Sequence, residues 1–133
     1  MNPTGLTRGA GWEIGVSRTL PVELDLAWDF LVSPAGLRLW LGELNAPLAK
    51  GADYTTRDGT TGEVRSLRPR DRVRLTWRPA GREQPATIQV AVRPARAGTT
   101  IRFHTERLVS EDERVRFRQY WREALDRIEA QVA

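Results

Sequence analysis

Between Trp12 and Leu20 apolar and polar side chains alternate, with Trp12, Ile14 and Val16 on one side and Glu13, Gly15 and Ser17 on the other. A period of two marks a half-buried strand. Pro21 ends it and is expected to open a helix, because proline is accommodated in a first turn. Over Val22 to Val32 the period changes. Leu24, Ala27, Trp28 and Leu31 fall at i, i+3, i+4 and i+7, which is one face of a helix. Ser33-Pro34 stops that helix, since the residue before proline avoids the α region. Leu37, Trp40 and Leu41 then predict a short second helix from Pro34 to about Leu41, with Gly42 as its C-cap.

After a loop from Leu44 to Gly51 the period returns to two. Ala52 to Arg57 reads as a weak strand closed by the hairpin pair Asp58-Gly59, and Gly62 to Arg68 as the next strand. Arg72 to Arg78 turns Val73, Leu75 and Trp77 inward. Ala86 to Arg93 does the same with Ile88, Val90 and Val92, and Thr99 to Thr105 with Ile101 and Phe103. Short turns at regular spacing predict an antiparallel meander. The last element begins at Ser110-Glu111-Asp112-Glu113, a capping box. From there Phe117, Tyr120, Trp121, Ala124, Leu125, Ile128 and Val132 form one apolar stripe, opposite Arg118, Arg122, Glu123, Asp126, Arg127 and Glu129. Glu123 and Arg127 stand in the favourable i,i+4 order for an ion pair. A sheet with one apolar face needs a cover, and this helix carries the matching stripe.

Length adds that 133 residues suit one domain. The expected division is a flexible N-terminal tail over 1–11 and a single domain over 12–133. The start has no apolar h-region. The most apolar stretch, Leu20 to Val32, is broken by Glu23, Asp25 and Asp29 and falls short of the ~20 residues of a membrane span. A cytoplasmic location is expected. The absence of cysteine excludes thiolate catalysis, thiolate metal sites and disulfides. The net charge is +4, and Lys50 is the only lysine, so the positive charge is almost all arginine. No dense basic run is present, which favours a solvated surface over a nucleic-acid surface.

The landmarks resemble a known family. Pro21 with Ala27-Trp28, then Ser33-Pro34, Leu37 and Trp40-Leu41, look like the two-helix signature that follows its first strand. Asp58-Gly59 with Gly62-Glu63-Val64, Pro69 with Arg72 to Trp77, and Gly98-Thr99-Thr100 resemble its hairpins. Trp121, Leu125 and Ile128 resemble its terminal helix. In this order the chain resembles the START-like, helix-grip (SRPBCC) superfamily, and within it the homologues of the activator of heat-shock protein 90 ATPase. The resemblance implies an α+β fold: a curved antiparallel sheet wrapped around a long C-terminal helix, with two short helices after the first strand. The eukaryotic co-chaperone carries a separate N-terminal domain with no counterpart in these residues, so chaperone activation is not the expected role.

Candidate chemistry is sparse. The only histidine, His104, falls between Phe103 and Thr105 and faces away from the core, beside Arg102 and Glu106. One histidine without cysteine argues against a metal site, and there is no Ser-His-Asp set, no G-x-S-x-G elbow and no phosphate-binding glycine loop. No catalytic residue, metal or cofactor is assigned. The inward polar candidates are Tyr54, Tyr120 and Glu106. Four of the five tryptophans lie on apolar faces. The expected cleft between sheet and terminal helix is lined by Trp28, Trp40, Tyr54, Trp77, Val90, Phe103, Phe117, Tyr120 and Trp121, with Trp40 at its mouth. Such a cleft suits a small hydrophobic molecule. Two alternatives stay open: a polyketide cyclase or aromatase using the same cleft, and a chaperone-accessory or other interaction module with a protein partner or a weak homodimer.

Overall fold

The computed structural model describes Leu6–Thr7 and residues 11–133. Strand β1 (Leu6–Thr7) precedes β2 (Gly11–Leu20), and two helices follow, α1 (Leu24–Val32) and α2 (Pro34–Trp40). The chain then runs through β3 (Asp53–Thr55), β4 (Thr61–Arg68), β5 (Arg72–Trp77), β6 (Ala86–Ala95) and β7 (Gly98–Leu108), and ends in α3 (Glu111–Val132). All neighbours in the sheet are antiparallel, in the order β1-β2-β7-β6-β5-β4-β3. The helices α1 and α2 carry the chain from one side of the sheet to the other. The meander then returns until β7 pairs with β2, and α3 packs back over the inner face. This is the helix-grip arrangement.

The inward positions read from the alternation are buried. Leu75, Val90, Phe103, Trp121, Leu125 and Ile128 are each no more than 1 % exposed. Burying one such side chain contributes roughly 1.5–3 kcal/mol, so this seam between sheet and helix anchors the domain. Gly36 lets α2 pack against the end of α1: a Cβ there would lie 1.8 Å from the Phe30 carbonyl oxygen.

Several local expectations differ from what forms. Helix α1 begins at Leu24, not at Pro21. The Thr99 hydroxyl donates to the Val22 carbonyl at 2.9 Å, and the Val22 N–H donates to Leu20 at 2.9 Å, which holds residues 21–22 in a turn. Of the segment expected as a tail, Leu6–Thr7 pair with Trp12 and Gly11 as strand, and residues 1–5 and 8–10 lie outside the described residues. The Glu123–Arg127 pair does not form. Arg127 donates to the Leu39 carbonyl at 3.1 Å, and Glu123 accepts from Gln119 at 3.3 Å.

The start of α3 departs in a more useful way. Ser110 Oγ accepts the Glu113 N–H at 3.1 Å, as a capping box requires. The Glu113 carboxylate, however, accepts from the Val109 N–H at 2.9 Å and pairs with Arg82 at 2.8 Å. The helix cap is therefore also the anchor of the β5–β6 loop.

Candidate functional site

The apolar faces of sheet and helix meet in an aromatic stack. Phe103 on β7 lies flat against Trp121 on α3, with centroids 4.6 Å apart and planes 6° from parallel. Trp77 on β5 packs beside Trp121 at 5.7 Å and edge-on to Phe117 at 4.9 Å. Tyr120 meets Trp121 edge-on at 4.8 Å, and Trp40 reaches Phe103 at 5.8 Å. The polar atoms of this stack are mostly committed internally. Trp121 Nε1 donates to Thr105 Oγ1 at 2.7 Å, Trp40 Nε1 to the Leu31 carbonyl at 2.9 Å, and the Tyr120 hydroxyl to the Trp40 carbonyl at 3.1 Å. The Tyr54 hydroxyl donates to the Thr76 carbonyl at 2.6 Å.

The nine expected lining residues thus divide. Trp28, Trp40, Tyr54, Trp77, Val90, Phe103 and Trp121 are buried, and the inner part of the cleft is filled by their side chains. Trp40, expected at the mouth, is fully buried because its ring closes the space between α2 and the sheet. Phe117 and Tyr120 are only half-buried. They line an open cavity of about 580 Å3 at the mouth of the grip, together with loop residues Pro79 to Gln84 and with Val109, Glu113 and Arg116. The Arg116 guanidinium carbon stands 5.6 Å from the Phe117 ring centroid, in cation–π range.

The loop that roofs this cavity is held by one buried ion pair. Arg82 presents Nε and Nη2 to the two oxygens of Glu113 at 3.0 and 2.8 Å, and Nη2 also donates to the Arg107 carbonyl at 3.1 Å. Both side chains are 10 % exposed or less. The hydrogen bond from Arg82 holds the Glu113 carboxyl below the usual carboxylate range, with the Val109 N–H acting the same way and burial opposing. Burial pushes the Tyr54 and Tyr120 hydroxyls above the ordinary tyrosine value. Neither tyrosine is poised to exchange a proton near neutrality. Arg82 lies in a polar loop without period, so nothing in the sequence marked it. Glu113 was visible only as a cap.

The remaining polar candidates face outward. Glu106 pairs with Arg74 at 3.3 Å on the open sheet face, so it does not enter the cleft. His104 stands on the same face, 3.4 Å from Glu13 and 3.6 Å from Glu106. Among the described residues no group of three or more His, Cys, Asp or Glu is arranged to hold a metal ion, and no helix is long and apolar enough to cross a membrane.

Comparison with known proteins agrees with this geometry. A family model described as "Activator of Hsp90 ATPase homolog 1-like protein" matches residues 21–133. No curated protein matches the sequence. Among solved structures, DynU16, a protein in the dynemicin biosynthetic locus, superposes with TM-score 0.79 at 22% identity, over 89% of this chain and 46% of that one. The chain thus spans about half the length of DynU16. CalU16 from Micromonospora echinospora superposes with TM-score 0.78 at 20% identity, over 92% of this chain and 76% of that one. The AHSA1 protein from Silicibacter pomeroyi does so with TM-score 0.73 at 16% identity, over 90% and 96%. At these identities the likeness shows the fold.

Proposed function

The chain belongs to the activator of Hsp90 ATPase homolog 1-like family, and we propose that it is a non-catalytic START-like domain that binds a small apolar or aromatic molecule at the mouth of its cleft. The observation that carries this reading is the open cavity of about 580 Å3 whose apolar wall is Phe117 and Tyr120 on α3. That volume lies in the usual range for small-molecule sites. Phe117 and Tyr120 make the first contact. Trp77 backs Phe117 and Trp121 backs Tyr120, with Phe103 and Trp40 packed behind Trp121.

A non-catalytic role is supported by how the polar groups around the cleft are held. Both tyrosine hydroxyls are spent on carbonyls, and Glu113 is locked by Arg82. DynU16 comes from a biosynthetic locus, which fits a small-molecule ligand and keeps the cyclase reading as the alternative. The test is a thermal-shift screen of lipids, aromatic polyketides and hydrophobic metabolites. A ligand of the folded state raises the melting temperature as its concentration passes Kd. A hit that is also turned over would replace the carrier reading with the cyclase one. No shift from any class would contradict small-molecule binding.

A further inference from the structure

The sheet face turned away from α3 carries a second cavity, of about 730 Å3. Arg65, Arg74 and Arg107 line it, with Thr76, Thr87 and Gln84 beside them, and no carboxylate among the described residues does. Two of these arginines sit at β-bulges. Between the pairs Val64↔Leu75 and Ser66↔Arg74, β4 carries one extra residue, Arg65. Between Trp12↔Leu108 and Ile14↔Thr105, β7 carries one extra residue, so that Glu106 and Arg107 together oppose Glu13. A bulge re-aims the side chain it carries. Arg107 has φ +64°, a left-handed conformation that arginine rarely adopts, and its carbonyl is held there by Arg82. Backbone irregularities on two strands thus bring two guanidinium groups to one cavity, on either side of Arg74 from the regular strand β5.

The charge there is not fully balanced. Glu63 approaches Arg65 at 3.2 Å in an exposed pair, and Glu106 takes Arg74. Arg107 has no ion pair among the described residues. Thr76 Oγ1 accepts the Glu63 N–H at 2.8 Å, which leaves its own O–H free to donate. Planar guanidinium forks match the oxygens of phosphate groups. Donors arriving from β4, β5 and β7 around one open volume suit an anion with several oxygens and more than one charge.

We propose that this outer cavity binds a small, multiply charged phosphate compound, held by Arg65, Arg74 and Arg107 with Thr76 and Thr87 as neutral donors. It does not depend on a ligand at the mouth. Sodium tripolyphosphate is the probe, titrated calorimetrically at low salt, with citrate as the carboxylate arm. One-to-one binding of tripolyphosphate is expected, weakening as sodium chloride is added, because exposed charges are screened. Arg107→Asn, which keeps a residue tolerant of the left-handed region, and Arg65→Gln should each weaken it about tenfold or more. Arg65 is exposed and distant from the core, so Arg65→Gln keeps the wild-type melting temperature and remains informative if Arg107→Asn misfolds. No heat at millimolar tripolyphosphate, an unchanged Kd in Arg65→Gln, or equal binding of citrate would each overturn the assignment.

Discussion

Phe103 and Trp121 stack face to face at 4.6 Å, and the same indole donates its N–H to Thr105 two residues along the strand. One side chain thereby fixes α3 to β7 through both its ring and its polar atom. Trp121→Ala should cost about 3–5 kcal/mol, as truncation of a core aromatic does, read as a lower urea midpoint at unchanged slope. Trp121→Phe keeps a ring on Phe103 and should cost less, although it leaves Thr105 Oγ1 without its donor. A loss below about 1 kcal/mol for Trp121→Ala would show that this seam is not the anchor of the domain.

The Arg82–Glu113 pair predicts a specific acid response. The folded-state pKa of Glu113 is lowered, so its stabilising contribution is complete above the unfolded value of about 4.3. It is lost as pH falls through the folded value. Between about pH 5 and pH 3 the wild type should therefore lose stability more steeply than Glu113→Gln. At pH 7 Arg82→Ala should cost about 3 kcal/mol, because it strands a buried carboxylate. Chemical denaturation across pH measures both. Parallel acid profiles for wild type and Glu113→Gln would contradict the pairing.

The chain has only two tyrosines, and burial raises both hydroxyls. Absorbance at 295 nm should therefore show less phenolate in the folded protein than in the urea-unfolded chain, which titrates near 10. The sign follows by linkage: the folded state keeps protons that the unfolded state releases, so stability falls as pH rises above about 10. A native titration curve centred at the unfolded value would show that neither ring is buried as described.

Much of this fold is legible in the sequence, because periodicity reports direction. Val73, Leu75 and Trp77 alternate inward, and Trp121, Leu125 and Ile128 share a stripe, so sheet and helix could be paired before their contacts were known. Periodicity does not report depth. Trp40 and Phe117 both lie on apolar stripes, yet one is sealed and the other lines an open cavity. Residues that act through tertiary contacts left no local trace. Thr99 moves the start of α1 from 77 residues away, and Arg82 reaches Glu113 across 31. The bulges at Arg65 and Arg107 are equally silent, since an extra residue is visible only against its partner strand.

A molecule seated at the mouth of the cleft should be seen in tryptophan emission. Trp77 lies against Phe117, so a molecule seated on Phe117 and Tyr120 should change the emission and saturate with concentration. With the strongest compound from the thermal screen, Phe117→Ala should weaken Kd about tenfold or more, through lost apolar contact, while Arg65→Gln on the outer face leaves it unchanged. Equal affinity of wild type and Phe117→Ala would place the ligand elsewhere and rule out binding at the mouth.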